Sequence, residues 1–439
     1  MSRASTWLLN SAYLGAIMIA MPWILWSAWR HGKYREGFAA KLWGSVPLRT
    51  GNRPCAWLHA VSVGEVNLLS GLIKELSRQR PDLELVISTT TKTGYNLARD
   101  KYAAHTVFYC PLDFSWAVRR ALQRIRPDLL VLAELELWPQ LILTAKKAGV
   151  QVAIINGRLS DRSLRGYLKV RPLVAQILAK VDLIAAQNEE TTERFLRLGA
   201  RSAAVKTTGS LKFDGATTDR SNPRTTQLRS LARFEENDVV LLAGSTQEPE
   251  EAIALAVYRE LKSEFPRLRL VLVPRHPQRF DEVAELLKQS GLPWLRRSQL
   301  ELSPVPRPPS PILLVDTIGE LGVWWGTASI GFVGGSFGSR GGQNMLEPAA
   351  YGVATCFGPN TWNFREIVAQ LLAVEGAVVV QDGQELAAFV RRALAEPQWA
   401  RTLGERAQQL VLSQQGATAR TVELLLPLVA ESGAQRSAA

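Results

Sequence analysis

The sequence predicts two doubly wound, Rossmann-like α/β domains facing one cleft, preceded by a membrane-anchor helix. Three observations predict it. Apolar strand-like runs alternate with amphipathic helical stretches in two series, a polar turn-rich segment divides the series, and an uncharged apolar stretch opens the chain. Strands alternating with helices mark a parallel sheet covered on both faces. At 439 residues, 46% of them hydrophobic, the chain is long enough for two or three domains with substantial cores.

The opening stretch, Trp7 to Trp29, has no charged residue. At about 1.5 Å per residue it has the length to cross a hydrocarbon core of roughly 30 Å. Arg3 precedes it, while Arg30, Lys33 and Arg35 follow, which keeps the rest of the chain in the cytoplasm. Asn10 and Ser11 lower its apolarity, Pro22 introduces a kink, and no small-residue cleavage site follows it. Residues 1–35 are therefore assigned to an anchor.

The first domain, 36–215, begins its pattern with an apolar run from Pro54 to Ser62 that breaks at Gly64. Leu68, Leu69, Leu72, Ile73 and Leu76 then recur at helical spacing. Further strands are expected at Leu83–Thr89, Thr106–Tyr109, Leu129–Ala133 and Val150–Ile155, with helices at Trp116–Ile125 and Leu141–Ala148. The polar segment Phe213 to Pro223 places a linker at 216–225. A second domain, 226–425, carries strands at Val239–Ala243, Arg269–Val273, Ile312–Val315 and Ile330–Val333, and a tail follows at 426–439, frayed from Ser432. Ser303–Pro311 is proline-rich and is expected as a surface loop, and no fixed-period repeat is present.

Composition narrows the function. A net charge of +12 favours acidic partners, and three isolated cysteines with four histidines exclude a disulfide framework and a zinc-ribbon pattern. Arg158, Arg162, Arg165, Lys169 and Arg171 are interleaved with Leu164, Tyr167, Leu168 and Val170. That mixture suits an anionic membrane surface or a solvated helix face, and the anchor makes lipid a better partner than nucleic acid.

Several stretches carry candidate chemistry. Glu65 falls where the first strand hands over to a helix, at the carboxyl edge where open α/β sheets bind ligands. It can compensate the helix dipole or act as a general base. Glu134 and Glu136 follow the strand ending at Ala133, and on an extended chain alternate residues project to one side. In the second series, Gly244, Ser245 and Thr246 end a strand at a small-residue turn whose amides could cradle a phosphate. Arg275, beside His276, could grip phosphate in a bidentate fork. Gly335 and Ser336 let backbone approach a ligand, Asn344 opens a helix, and Glu347 in its first turn could accept both ribose hydroxyls or compensate the dipole.

Together these motifs resemble the 3-deoxy-D-manno-octulosonic acid (Kdo) transferases over nearly the whole chain. The likeness rests on the block around Gly64-Glu65 and on Glu134 to Pro139, Asn156 to Ser160 and Gly209 to Asp214. It continues through Gly244 to Thr246, Pro274 to Pro277, Asp316 to Leu321 and Gly341 to Pro348. The resemblance implies a two-Rossmann (GT-B) glycosyltransferase of the bacterial inner membrane with cytoplasmic catalytic domains. It implies inverting transfer without a metal or cofactor, from CMP-Kdo to a tetraacylated lipid A precursor (lipid IVA) during lipopolysaccharide core biosynthesis. Glu65 then matches the general base and Glu134 a second essential acid that orients the acceptor or a charged group. Ser245, Thr246, Arg275, Asn344 and Glu347 match the region that holds CMP. The chain departs from the family at Gln247, Gln343 and Asn360, where histidine is usual; amides keep hydrogen bonding but lose a titratable charge. The rival readings are another GT-B enzyme with a different nucleotide sugar and a silent membrane scaffold.

Overall fold

The computed structural model describes residues 3–31, 36–300 and 311–437. Lys33 and Arg35, and nearly all of the Ser303–Pro311 loop, lie outside the described residues. The chain forms two compact units, residues 1–215 with 415–439, and residues 216–414.

The first unit contains strands β1 (Cys55–His59), β2 (Glu84–Thr89), β3 (Thr106–Tyr109), β4 (Leu129–Ala133), β5 (Gln151–Gly157), β6 (Leu183–Ala186) and β7 (Val205–Thr207). They form one sheet in the order β3-β2-β1-β4-β5-β6-β7, parallel throughout. Successive side chains of a strand face opposite sides, so Cys55 and Trp57 enter one core while Ala56 and Leu58 enter the other. Both faces are covered, which is why these strands read as continuous apolar runs rather than alternating ones.

The second unit contains β8 (Val239–Thr246), β9 (Leu268–Pro274), β10 (Trp294–Arg296), β11 (Ile312–Leu314), β12 (Ile330–Val333), β13 (Ala354–Phe357) and β14 (Val378–Val379). Their order is β10-β11-β9-β8-β12-β13-β14, again parallel. Each sheet reverses its winding once, between β1 and β4 in the first and between β8 and β12 in the second. Such a switch point opens a crevice at the carboxyl ends of the strands. The connections leaving these four strands carry the candidate chemistry.

Two expectations are corrected. The C-terminal segment is not a separate tail: the helix Ala417–Ser437 belongs to the first unit, where Val422, Leu425 and Val429 are buried in the core. Asp214 fastens its start, accepting from Gly416 N–H at 2.7 Å and from Thr418 N–H. The anchor is corrected as a crossing element. Residues Arg3–His31 form one helix, but among the described residues no helix is long and apolar enough to cross a membrane. Asn10, Ser11 and Pro22 interrupt its apolar run. Asn10 is buried on the first unit, giving its amide to Ser115 Oγ at 2.9 Å and accepting from Ser115 N–H at 3.1 Å. Tyr13 meets Phe114 edge-on beside it. Further along the same helix Met18, Ile19, Trp23, Trp26 and Trp29 are exposed.

Candidate functional site

Three carboxyl groups gather at the switch point of the first unit. Ser62 caps the helix Val63–Gln79, and Glu65 lies in that helix's first turn. The Glu65 carboxylate turns back on the cap, accepting from Val61 N–H at 2.7 Å and from the Ser62 hydroxyl at 2.9 Å. This is a variant of the capping box, in whose standard form the acid takes the N–H of the cap residue itself. It does not exhaust the group, because an ionised carboxylate offers about four lone-pair sites. Burial pushes the Glu65 carboxyl up, the two hydrogen bonds oppose that, and the Glu134 charge adds to it.

Glu134 does not sit on an extended chain as expected: its φ is 59°, in the left-handed region. A non-glycine residue there is held by its surroundings, a pattern concentrated at functional sites. Its N–H donates to Ile155 O at 2.9 Å and its carboxylate pairs with Lys212 at 3.4 Å. Lys212 is brought there by Asn156, also left-handed with φ 51° and fully buried, whose side-chain oxygen accepts from Leu211 N–H at 3.0 Å.

Glu136, which the sequence paired with Glu134 at the strand's end without a catalytic role, is the most perturbed acid of the three. Burial, reinforced by the charges of Glu65 and Glu134, pushes its carboxyl up to about 7 against a 2.7 Å hydrogen bond from Trp138 Nε1. The Glu136 charge also contributes to raising Tyr167, on the helix Asp161–Leu168. Arg162 and Arg165 of that helix are exposed, as are Lys169, Val170, Arg171 and Leu173 beyond it. The basic stretch therefore adjoins the acid cluster.

His59, at the end of β1, is structural. The Ser88 hydroxyl accepts Trp57 Nε1–H at 2.7 Å and shares a hydrogen bond with His59 Nδ1, 2.8 Å away. Nε2 is buried without a hydrogen-bond partner, with the Trp138 ring centre 5.9 Å from the imidazole centre. Burial lowers this imidazole to about 4 and keeps it neutral.

The second unit gathers its candidates around the β8–β12 switch point and the end of neighbouring β9, with corrections. β8 continues through Thr246 and the following helix starts only at Glu250, so Gly244, Ser245 and Thr246 are strand residues rather than a cradle. Gly244 is small for packing: a Cβ there would lie 2.4 Å from the Trp325 ring. Ser245 bulges with φ 55°, and Thr246 is buried with its hydroxyl unpartnered. The amides of Gly335 and Ser336 are not open to a ligand either, because both donate to the buried Glu250 carboxylate. The Ser336 hydroxyl is internal as well, donating to Val333 O and accepting from Gly358 N–H.

Three expected residues are linked to one another. Arg275 follows β9 with its N–H on Thr246 O at 3.0 Å, and its side chain is exposed. Its charge reaches Glu347, which burial pushes up and which Asn344 Nδ2–H and Arg275 pull back down. The helix expected to open at Asn344 opens at Leu346, whose N–H is capped by Asn344 Oδ1 at 3.1 Å. Arg275, Asn344 and Glu347 thus form one connected polar group.

Two doubly wound parallel sheets in one chain, each with a polar cluster at its switch point, define a protein of two Rossmann-like domains. The family model described as 3-deoxy-D-manno-octulosonic-acid transferase (kdotransferase) matches residues 32–215. The chain is 33% identical to the 3-deoxy-D-manno-octulosonic acid transferase of Haemophilus influenzae, over 86% of this chain and 89% of that one. It is 34% identical to the enzyme of that name from Bordetella pertussis, over 94% and 97% respectively. The UDP-GlcNAc 2-epimerase of Neisseria meningitidis, solved with UDP-GlcNAc, shares the fold at TM-score 0.57 and 15% identity, covering 85% of this chain and all 100% of that one. The chain belongs to the Kdo transferase family of glycosyltransferases.

Proposed function

We propose that the protein transfers Kdo from CMP-Kdo to a hydroxyl of a lipid A precursor (lipid IVA), with inversion, during lipopolysaccharide core biosynthesis. The observation that carries this reading is the Glu65–Glu134–Glu136 cluster on the first unit of a chain of this family. Glu65 removes the acceptor proton as the oxygen attacks the anomeric carbon of Kdo. The bond from that carbon to the CMP phosphate breaks, and the phosphate leaves with the electron pair. A carboxylate raised by burial is a better base than one in water, and its two cap hydrogen bonds fix its direction. Lys212 and Glu134 form a charged pair suited to orienting a phosphorylated acceptor.

In the second unit Arg275 meets the phosphate charge that develops on departure. The Glu347 carboxylate, steadied by Asn344, accepts the ribose hydroxyls. With a side-chain cation serving the leaving group, this reading gives no role to a metal. The exposed Met18, Ile19 and tryptophans of the first helix, with the basic helix beside Glu136, suit monotopic docking on the cytoplasmic face of the anionic inner membrane. Sedimentation with anionic vesicles, and not with neutral ones, tests that docking.

Nucleotide selectivity tests the donor. CMP is expected to raise the melting temperature and UDP to leave it unchanged. The reverse result would assign a UDP-sugar donor, and no shift with either nucleotide would favour a silent scaffold.

A further inference from the structure

The carboxylate of Glu250 stands where a bound anion would. It is 1% exposed, in the first turn of the helix Glu250–Leu261. Four backbone N–H groups from two segments converge on it. Gln247 at 2.9 Å and Gly335 at 2.7 Å donate to Oε2, and Ser336 at 2.9 Å and Phe337 at 3.0 Å donate to Oε1. Successive N–H groups closing on one anion form a nest of the kind that binds phosphates. Here the chain supplies the anion itself. The fit is tight: a Cβ on Gly334 would lie 2.8 Å from Glu250 Oε2, and Gly335 turns through φ 66°.

We propose that Glu250 is a positioning residue of the donor site. Its carboxylate fills the nest, sets the 334–337 loop, and leaves the donor phosphate to side chains. The proposal rests on the CMP-sugar reading above. The side chains around the loop support it. The amide nitrogens of Gln247 and Gln343 lie 3.4 and 3.2 Å from where a Gly335 Cβ would stand, and Asn360 Nδ2 donates to Phe337 O at 3.1 Å. The side-chain amides of Gln247, Gln343 and Asn360, each from a different segment, thus gather around the loop that Glu250 holds. A shift of that loop would alter all three approaches at once, whereas Arg275 follows β9 on a separate segment.

Two variants of the full chain test this. Glu250→Ala empties the nest; Glu250→Gln keeps it filled but offers one acceptor oxygen and turns an N–H2 toward the amide donors. CMP affinity is measured by calorimetry with and without formate, an anion small enough to refill the nest. Both variants are expected to bind CMP about tenfold more weakly or worse, and formate is expected to restore affinity to Glu250→Ala and not to Glu250→Gln. A structural defect alone would not respond to formate in that selective way. If Glu250→Ala does not fold, the loss of CMP affinity in folded Glu250→Gln carries the test. Wild-type affinity in the folded variants would overturn the proposal. So would tighter CMP binding by Glu250→Ala, since the nest would then be a phosphate site that Glu250 blocks. Failure of the wild type itself to bind CMP would remove the donor reading and this proposal with it.

Discussion

Replacing Glu65 by glutamine separates the two roles that its geometry permits. The carboxylate accepts two hydrogen bonds at the helix start, from Val61 N–H and from the Ser62 hydroxyl. Glutamine keeps one acceptor oxygen and turns an N–H2 toward the other donor, which costs about 1 kcal/mol. Neutralising a first-turn charge costs roughly 0.3–1 kcal/mol more, and relief from burying that charge offsets part of this. The fold should therefore lose at most about 2 kcal/mol, out of roughly 5–15 kcal/mol typical of a domain. That leaves the folded population essentially intact. Loss of a general base, in contrast, lowers turnover by about 10²–10⁴-fold. The assay is the initial rate of Kdo transfer from CMP-Kdo, run beside urea unfolding of the same preparation. A stability loss near 1–2 kcal/mol with turnover down at least about 100-fold fits the base assignment. Turnover within about tenfold of wild type would refute it and leave Glu65 as a helix cap.

Three further outcomes follow from the same geometry. Arg275→Ala should weaken CMP binding by about 10–100-fold, the loss of a charged hydrogen-bonding partner; calorimetry showing unchanged affinity would remove Arg275 from the donor site. Lys212→Met breaks a partly exposed pair with Glu134, so unfolding should shift by less than about 1 kcal/mol while KM for the lipid acceptor rises several-fold; an unchanged KM would make the pair purely structural. Asp113 is buried at the start of the helix Pro139–Lys147, where it accepts from Gln140 and Leu141 N–H, and burial holds its carboxyl up at about 7. The folded state then keeps a proton that the unfolded chain releases above about pH 4, so stability falls as pH rises from 4 to 7. Asp113→Asn should flatten that fall without abolishing it, because Glu136 has the same sign; an unaltered pH profile of the melting temperature would contradict the shift.

Much of the fold was legible because a parallel strand covered on both faces is a short uninterrupted apolar run. Thr106–Tyr109, Leu129–Ala133 and Ile330–Val333 are strands over the predicted bounds, and the switch-point loops follow from such runs. What the sequence hid depends on contacts distant along the chain. A glycine-rich turn has the same pattern whether its amides meet a ligand or an internal carboxylate, so the capture of Gly335 and Ser336 by Glu250 was invisible. Glu134 and Glu136 look equivalent as letters; burial beside Trp138 and two neighbouring carboxylates sets Glu136 apart. The return of Ala417–Ser437 to the first unit rests on Asp214, some 200 residues earlier. Asn156, followed by Gly157, is of a type that tolerates a left-handed backbone, but its hold on Leu211 is a tertiary contact with no local signal. The first helix was read from its lack of charge, which did not foretell that Asn10 would be committed to Ser115.

The most direct test of the central claim is a transfer assay on the full chain in detergent. CMP-Kdo is generated in place, the acceptor is a lipid A precursor, and products are read by mass spectrometry. The acceptor is expected to gain the mass of one or more Kdo residues, and UDP-sugars are expected to give no product. An acceptor mass unchanged with CMP-Kdo, while a Kdo transferase run in parallel converts the same acceptor, would contradict the claim.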